Sequence, residues 1–220
     1  GDNEDRERHD KLLHDGGGLD VAGISHTLHT LSDIIRGVNV DFPIQEAEDI
    51  LLDVNTAHNY LHISDDRKTV SWSDRYENRP KTPERFQFYS QVLSSRSFSS
   101  GRHYWGVDVG GSDQWIVGIC YPSIDREGWL SGFGWNNKSW GLYRKVHQYS
   151  LIHDSNTIIL LTDISSNRVG IYLDYEAGRI TFYDLCDPIR HLRTFTTTFT
   201  EPLQAGICVV GGFIKIRGWN

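Results

Sequence analysis

The chain has 220 residues, of which 38% are hydrophobic, 12% aromatic and 23% charged. This content of large apolar side chains excludes a chain that is disordered over its whole length. Asp and Glu number 29 and Lys and Arg number 22, so the formal net charge is −7, which argues against nucleic acid as the main ligand.

Cysteine usage and hydropathy bear on the compartment. The three cysteines, Cys120, Cys186 and Cys208, are odd in number and form no CxxC pair, which favours a reducing compartment, the cytoplasm or the nucleus. No apolar run approaches the roughly 20 residues of a membrane-spanning helix, so we expect no membrane partner. Because Met is absent and the chain starts at Gly1, we expect a piece of a longer protein.

The N-terminal part divides into two segments. Residues 1–18 are mostly charged and end in three glycines, which predicts a charged tail or a frayed helix. Residues 19–40 carry apolar side chains at spacings of three and four, the pattern of an amphipathic helix. These side chains are Val21, Ile24, Leu28, Leu31, Ile34, Ile35 and Val38. Either the following domain or a partner chain is expected to cover this stripe.

Residues 41–220 are predicted to form one domain of short β-strands. The predicted strands are 60–63, 69–72, 85–93, 103–109, 115–121, 140–143, 168–174, 179–183 and 213–217. Several of them alternate apolar and polar residues, and Gly-rich turn signals separate them. No long helical pattern follows position 40, so we predict an all-β antiparallel sandwich behind an N-terminal amphipathic helix.

Motifs for catalysis are lacking. The sequence contains no GxSxG, P-loop, GxGxxG or HExxH pattern. His26 and His29 lie one helical turn apart, but exposed polar positions explain them better than metal ligation. Asp108 and Asp174 could form a carboxylate pair, although Asp174 precedes a turn and backbone capping is the simpler role. We predict no enzyme activity and no cofactor in this chain.

Aromatic residues in polar, Gly-rich stretches are the strongest functional signal. Trp129, Phe133 and Trp135 lie within 128–137, and Tyr76 lies within 73–84. Large rings on loops are typical of protein-recognition hot spots, although each ring could instead cap the core. If their segment is extended, Phe133 and Trp135 point to the same face and are either both buried or both presented.

From about Val40 to its end the chain resembles the PRY-SPRY domain, found at the carboxyl end of many tripartite-motif (TRIM) ubiquitin ligases and of butyrophilins. The motifs that carry the resemblance are ILLDVNTA at 50–57, ISDDRKTV at 63–70, FSSGRHYWGVDV at 98–109, WIVGIC at 115–120 and VGIYLDYEAG at 169–178. The sequence departs from the family pattern at Val54, where a proline is usual, and at Gly106, where a Glu is usual.

The resemblance implies a fold and a kind of ligand. The fold is a bent sandwich of concanavalin-like jelly-roll type, whose variable loops bind a protein or, in butyrophilins, a small phosphorylated ligand. In the family's cytosolic antibody receptor, two aromatics that correspond to Phe133 and Trp135 form part of the pocket. Ile116 replaces an acidic residue of that receptor, and an aromatic ring is missing near Gly211, so antibody binding is not expected.

The resulting prediction is a protein-binding module of a TRIM-type RING E3 ubiquitin ligase. Catalysis and zinc would belong to RING and B-box domains upstream, and a homodimer through the upstream coiled coil is an option. Loops 73–84, 127–137 and 206–213 are expected to converge on one end of the sandwich. The predicted partner-binding residues are Tyr76, Arg75, Arg79, Trp129, Phe133, Trp135, Asn136 and Phe213.

Two alternatives stay open at this point. The same pocket would be a sensor of a small phosphorylated ligand if basic side chains converged on it. The candidates are Arg75, Arg79, Lys81 and Arg85, with Asp74, Glu77 and Glu84 among them. The other alternative is a mainly oligomeric scaffold formed by residues 19–40.

Overall fold

The computed structural model describes residues 47–219. The tail predicted over 1–18 and the helix predicted over 19–40 lie outside the described residues. The described strands are β1 Leu61–Ile63, β2 Thr69–Trp72, β3 Gln91–Phe98, β4 Arg102–Asp108, β5 Gln114–Cys120, β6 Ser139–Lys145, β7 Gln148–His153, β8 Asn156–Ile159, β9 Arg168–Asp174, β10 Arg179–Asp184, β11 Arg190–Thr196, β12 Leu203–Val209 and β13 Phe213–Arg217. Short 3-10 helices lie at Val54–Thr56 and Trp129–Ser131.

The strands form two antiparallel sheets that pack face to face. One sheet has seven strands in the order β1-β2-β13-β4-β9-β10-β11, and the other has six in the order β3-β12-β5-β6-β7-β8. Neighbours in both sheets run antiparallel. The predicted all-β antiparallel sandwich is therefore confirmed.

Alternation of side chains along the strands builds the core. In β5, Trp115, Val117 and Ile119 point inward, and β4 and β9 contribute Trp105 and Ile171 in the same way. All five side chains are buried in one cluster between the sheets. Because side chains alternate at a period of two, the residues between them lie on the outer faces of the sheets.

Eight of the nine predicted strands match observed strands with ends that differ by at most two residues. The prediction of a strand over 85–93 was wrong, because β3 begins at Gln91 and 85–90 is irregular. Its first residue, Arg85, is buried, and its guanidinium donates to carbonyl oxygens of other loops instead of lying along a strand. The accepting residues are Pro80, Val54 and Ala57, at 2.8–2.9 Å.

Four strands were missed, namely β7, β8, β11 and β12. β7 and β8 form a hairpin whose two-residue turn, Asp154-Ser155, has φ values of 50° and 63°. Such left-handed turns are usually signalled by Asn-Gly or Asp-Gly, so the Asp-Ser pair gave no recognisable hairpin signal.

A buried carboxylate joins two loops of the seven-stranded sheet. Asp184 is 0% exposed. It accepts hydrogen bonds from Ser165 N and Oγ at 2.7 and 3.0 Å and from Ser166 Oγ at 2.6 Å, and it pairs with Arg190 at 3.1 Å. Burial by itself raises the pKa of Asp184, but the hydrogen bonds from both serines outweigh it, so the pKa lies below its usual value.

We expect Asp184→Asn to lower the free energy of unfolding by about 3 kcal/mol at neutral pH, because Arg190 loses its buried charge partner. A carboxyl with a lowered folded-state pKa stabilises the fold above its unfolded pKa, and that contribution is lost as pH falls through the folded value. Urea unfolding from pH 7 down to acid should therefore show a flatter acid limb in the variant. Exposed Asp125→Asn is the matched control. Equal stabilities for the two variants would contradict the role of Asp184.

Candidate functional site

Three glycines flatten one patch on the outer face of the six-stranded sheet. Gly206 in β12 pairs with Gly118 in β5, which pairs with Gly141 in β6. A Cβ on Gly206 would lie 2.8 Å from the ring of Phe133, so a larger residue there would displace that ring. Gly206 therefore gives the β5–β6 loop, residues 121–138, the space to lie against the sheet.

A buried glutamine holds the β5–β6 loop on the sheet. Gln91 in β3 is fully buried. Its side-chain Nε2 donates to Ser131 O at 2.9 Å, and its Oε1 accepts from Phe133 N at 2.8 Å. Since a buried amide without partners is costly, these two bonds fix the loop relative to β3.

Asn136 organises the end of the same loop. Its Nδ2 donates to Leu130 O at 2.8 Å and to Gly132 O at 2.9 Å. Its Oδ1 accepts from Lys138 N and Ser139 Oγ, both at 2.9 Å. All four hydrogen-bonding positions of the amide are thus used by the loop and by Ser139 at the start of β6, so the residue positions its neighbours.

Phe133 and Trp135 have different environments. Phe133 is 2% exposed and packs edge to face against Phe86, with ring centroids 5.7 Å apart. Trp135 is half-buried. Gly134 lies between them with φ +86°, a left-handed conformation that turns the chain. The segment is therefore not extended, and the two rings do not share a face: Phe133 supports the loop from below, and Trp135 reaches the surface.

Trp135 belongs to a group of rings beside the loop. Both it and Tyr89 lie against Gly132, where a Cβ would overlap their ring atoms. Tyr89 packs edge to face on the exposed Phe88, with centroids 4.8 Å apart. We call Phe88, Tyr89 and Trp135 the central rings. Trp129, on the same loop, is 62% exposed.

A second group of exposed rings lies within residues 60–76. The ring of Tyr60 is 5.7 Å from that of Tyr76 and 6.1 Å from that of Trp72, and all three are exposed. Asn59 Nδ2 donates to the Tyr76 hydroxyl at 3.2 Å and orients this ring. We call Tyr60, Trp72 and Tyr76 the lateral rings. Sequence analysis singled out Tyr76 alone, because the other two lie within predicted strands.

The loops that carry these rings contact one another. Lys81 in the first loop, 73–84, pairs with Glu127 in the second loop, 127–137, at 2.9 Å. Trp72 N, at the end of β2, donates at 2.9 Å to Gly212 O in the third loop, which was expected over 206–213. The segment 85–90 lies next to two of these loops, since Gln87 N donates to Arg126 O at 2.8 Å and Ser90 Oγ donates to Val209 O at 2.6 Å. The third loop is shorter than expected, because 206–209 belong to β12 and only 210–212 connect it to β13.

Phe213, at the start of β13, is exposed, and its N–H donates to Gly111 O at 3.2 Å. A buried apolar cluster lies beneath the β5–β6 loop. Ile116 and Cys208, cross-strand partners in β5 and β12, are 5% exposed, and Tyr143 packs against them. Burial raises the pKa of the Cys208 thiol to about 12, so the thiol stays protonated and unreactive at neutral pH.

Two of the predicted basic residues point into the protein. The Arg79 guanidinium donates to His58 O at 3.2 Å and Leu61 O at 2.8 Å, and burial lowers its pKa. Arg85 is bound to three backbone carbonyls, as described above. Both arginines therefore stabilise the loops, and neither offers its charge to a ligand at the surface.

The remaining basic residues differ from each other. Lys81 is ion-paired with Glu127. Arg75 is exposed, and within residues 47–219 it is the one of the four whose side chain makes no ion pair or hydrogen bond to the protein. A phosphorylated ligand would thus find one free cation of the four proposed.

The candidate carboxylate pair does not form. Asp108 ends β4 and Asp174 ends β9, and because these strands are antiparallel, the two lie at opposite ends. Asp174 Oδ1 accepts from Ala177 N at 3.2 Å, the turn-capping role that was preferred. Within the described residues, no three His, Cys, Asp or Glu side chains gather into a metal-binding group. No helix between residues 47 and 219 has the length and hydropathy that a membrane crossing requires.

Comparisons with known proteins place these features in a family. The model of PRY, the SPRY-associated domain, matches residues 50–98, and the model of the SPRY domain matches residues 102–216. The chain belongs to the PRY-SPRY family. The resemblance to the PRY-SPRY domain of TRIM proteins is thereby confirmed, and this part of the chain is a binding domain.

The chain is similar in sequence to parts of longer proteins and in structure to a solved domain. Mouse erythroid membrane-associated protein is 39% identical over 155 residues, 70% of this chain and 27% of that protein. Mouse E3 ubiquitin-protein ligase TRIM68 is 39% identical over 153 residues, 68% of this chain and 30% of that protein. The crystal structure of the TRIM65 PSpry domain has a TM-score of 0.71 at 25% identity, and the match covers 77% of this chain and 90% of that one. The chain thus spans less than a third of the length of these two full-length relatives.

We expect Gln91→Leu to detach the β5–β6 loop without removing volume from the core. The substitution leaves Ser131 O and Phe133 N unpaired, at a cost of about 2–4 kcal/mol. Hydrogen exchange of the amides in 127–138 should become faster, by more than that of β9 and β10. Gln87→Leu, at a half-buried position in the adjacent irregular segment, is the control. Unchanged exchange in 127–138 would show that Gln91 does not hold the loop.

Proposed function

We propose that this PRY-SPRY domain is the target-binding module of a TRIM-type E3 ubiquitin ligase and binds a protein through the central and lateral rings. The observation that carries the proposal is the arrangement of partly exposed aromatic side chains around loops that contact one another. Tyr and Trp are enriched in protein-binding hot spots, where a few anchors supply most of the affinity. SPRY relatives that include an E3 ubiquitin-protein ligase support the ligase assignment.

Roles within this surface follow from exposure. Trp135, Trp129, Tyr76 and Phe213 have exposed ring surface and are proposed as direct contacts, with Arg75 as a charged contact at the edge. To these we add Tyr60, Trp72 and Phe88, which sequence analysis missed as site residues. Phe133, Asn136 and Arg79 are proposed to act indirectly, since they hold the loops in place.

An apolar protein segment fits this surface better than a phosphorylated ligand. Ile116 belongs to the apolar cluster beneath the β5–β6 loop, at the position where the antibody receptor has an acidic residue, so an apolar group meets no buried charge there. Three of the four basic residues needed for phosphate are occupied by carbonyl or carboxylate groups of the domain itself. The second proposed function, a phosphate sensor, therefore has less support.

The binding proposal predicts that Trp135→Ala weakens the partner's affinity by about 30-fold, or about 2 kcal/mol, without unfolding the domain. Proteins captured from cell lysate by the wild-type chain would be purified and titrated by calorimetry against the wild type and against Trp135→Ala. Val146→Ala, at an exposed apolar site in the β6–β7 turn, is the matched control and should bind as the wild type does. Equal affinity of a folded Trp135→Ala would remove the residue from the site.

Phe133→Ala provides the contrast. Because its ring is buried, we expect it to lower the free energy of unfolding by about 3–5 kcal/mol, whereas Trp129→Ala should change it by less than about 0.5 kcal/mol. Urea unfolding measures both.

The ligase role is tested in the full-length protein: ubiquitylation of the identified partner should fall with Trp135→Ala. Partner binding without ubiquitylation would reject the ligase role alone.

A further inference from the structure

A polar pocket lies at one end of the sandwich, between two loops that connect the sheets. Its volume is about 420 Å³, within the range of small-ligand pockets. It is lined by residues 110–113 of the β4–β5 loop, Arg144 of β6 and residues 211–212 of the β12–β13 loop. The lining side chains larger than glycine are all polar, so the pocket suits a polar group.

Glycines allow the two loops to approach each other closely. A Cβ on Gly212 would lie 2.0 Å from Gly111 O, and a Cβ on Gly111 would lie 2.6 Å from the ring of Phe213. Gly211 and Gly212 also have positive φ values, +87° and +75°, which other residues rarely adopt. Backbone groups, and not side chains, therefore form this wall of the pocket.

Several backbone N–H groups of the lining residues are unpaired. Among the described residues, the N–H groups of Gly111, Asp113, Gly211 and Gly212 have no acceptor. Gly211 and Gly212 are consecutive in a turn, and consecutive N–H groups of such turns can enclose an anion. The wall therefore offers hydrogen-bond donors to a ligand.

Arg144 adds a positive charge to these donors. Its Nε donates to Val146 O at 2.8 Å and its Nη1 donates to Ser112 O at 3.1 Å, while the guanidinium lies 5.4 Å from the centroid of the Tyr149 ring. Within residues 47–219, Nη2 has no hydrogen-bond partner, and no carboxylate forms an ion pair with Arg144. Two carbonyl groups thus fix the guanidinium, and its charge stays unpaired.

Asp113 limits the charge that the pocket can accept. This acidic residue of the lining is exposed and forms no ion pair with Arg144. One guanidinium neutralises the single charge of a carboxylate and can bind both of its oxygens. A phosphate dianion would keep a net negative charge beside Asp113. A carboxylate therefore fits this pocket better than a phosphate does.

We propose that this pocket binds a carboxylate of the protein partner, either on an Asp or Glu side chain or at a chain end. The ring of Phe213, an exposed ring of the proposed binding surface, lies against Gly111 and so borders the pocket. A carboxylate with apolar neighbours would place its charge on Arg144 and an apolar group on Phe213. The inference rests on the proposed function for a protein as the ligand, and it adds the chemistry that the partner must carry.

NMR titration of the full chain with small peptides tests the pocket without the partner. The probes are acetyl-Gly-Asp-Gly-amide, acetyl-Gly-Gly-Gly with a free carboxyl end, the neutral acetyl-Gly-Asn-Gly-amide, and inorganic phosphate. At low ionic strength, a carboxylate peptide should shift the backbone amide signals of Gly111, Gly211 and Gly212, and the neutral peptide should not. A response to either carboxylate peptide supports the proposal and identifies the source of the carboxylate. A response to neither of them, or to phosphate alone, would overturn it.

Two variants that change the charge of the pocket in opposite directions separate binding from folding. Arg144→Gln should weaken peptide binding by about tenfold or more, because a charge-assisted pair is lost. Asp113→Asn should strengthen binding by about twofold, because a like charge beside the ligand is removed. Arg179→Gln, at an exposed arginine of β10 outside the pocket, is the matched control and should bind as the wild type does. Unchanged binding by Arg144→Gln, or weaker binding by Asp113→Asn, would contradict the proposal.

Calorimetry with the purified partner distinguishes this proposal from the proposed ring surface. Affinity that falls with Trp135→Ala and is unchanged with Arg144→Gln would support the rings and reject the carboxylate pocket. Affinity that falls with Arg144→Gln and is unchanged with Trp135→Ala would support the pocket and remove Trp135 from the site.

Discussion

The buried amide of Gln91 is the interaction on which the proposed binding surface depends most. Its side chain binds both Ser131 O and Phe133 N of the β5–β6 loop. Its backbone carbonyl oxygen accepts a hydrogen bond from His58 N at 3.1 Å. His58 in turn contacts the ring of Tyr60, with centroids 5.2 Å apart. One residue at the start of β3 therefore joins the loop of the central rings to the segment of the lateral rings.

The fold was largely predictable because most strands alternate in composition and end at recognisable turns. β7 and β8 were missed because their turn lacks a Gly, and 85–90 was misassigned because its apolar residues serve loop packing. Arg85 is the instructive case: in sequence it looks like a polar strand residue, whereas its guanidinium satisfies three carbonyls. Two of those carbonyls, on Val54 and Ala57, lie about 30 residues earlier in the chain, and no local pattern encodes such contacts.

The site was predictable in kind and less so in detail. Trp135 and Tyr76 stood out because large rings in polar, Gly-rich segments are unusual. The burial of Phe133 could not be read from sequence, since it requires Gly206 to lie beneath the ring, 73 positions later in the chain. Arg79 illustrates the same limit for charge, because its direction toward His58 O and Leu61 O is set by tertiary contacts.

Polar and aromatic side chains have different roles in this surface: the polar side chains order the loops, and the rings are proposed to contact the partner. Polar side chains form hydrogen bonds with the protein's own backbone at Gln91, Asn136 and Arg79. The loops are therefore ordered before a partner binds. The conformational entropy of the loops is then lost on folding, so ordering the loops does not reduce the free energy of binding. Trp and Tyr rings have few rotatable bonds, so they add contact area at small further cost. Recognition by this PRY-SPRY domain therefore rests on the rigidity of its polar frame as much as on the rings that the frame presents.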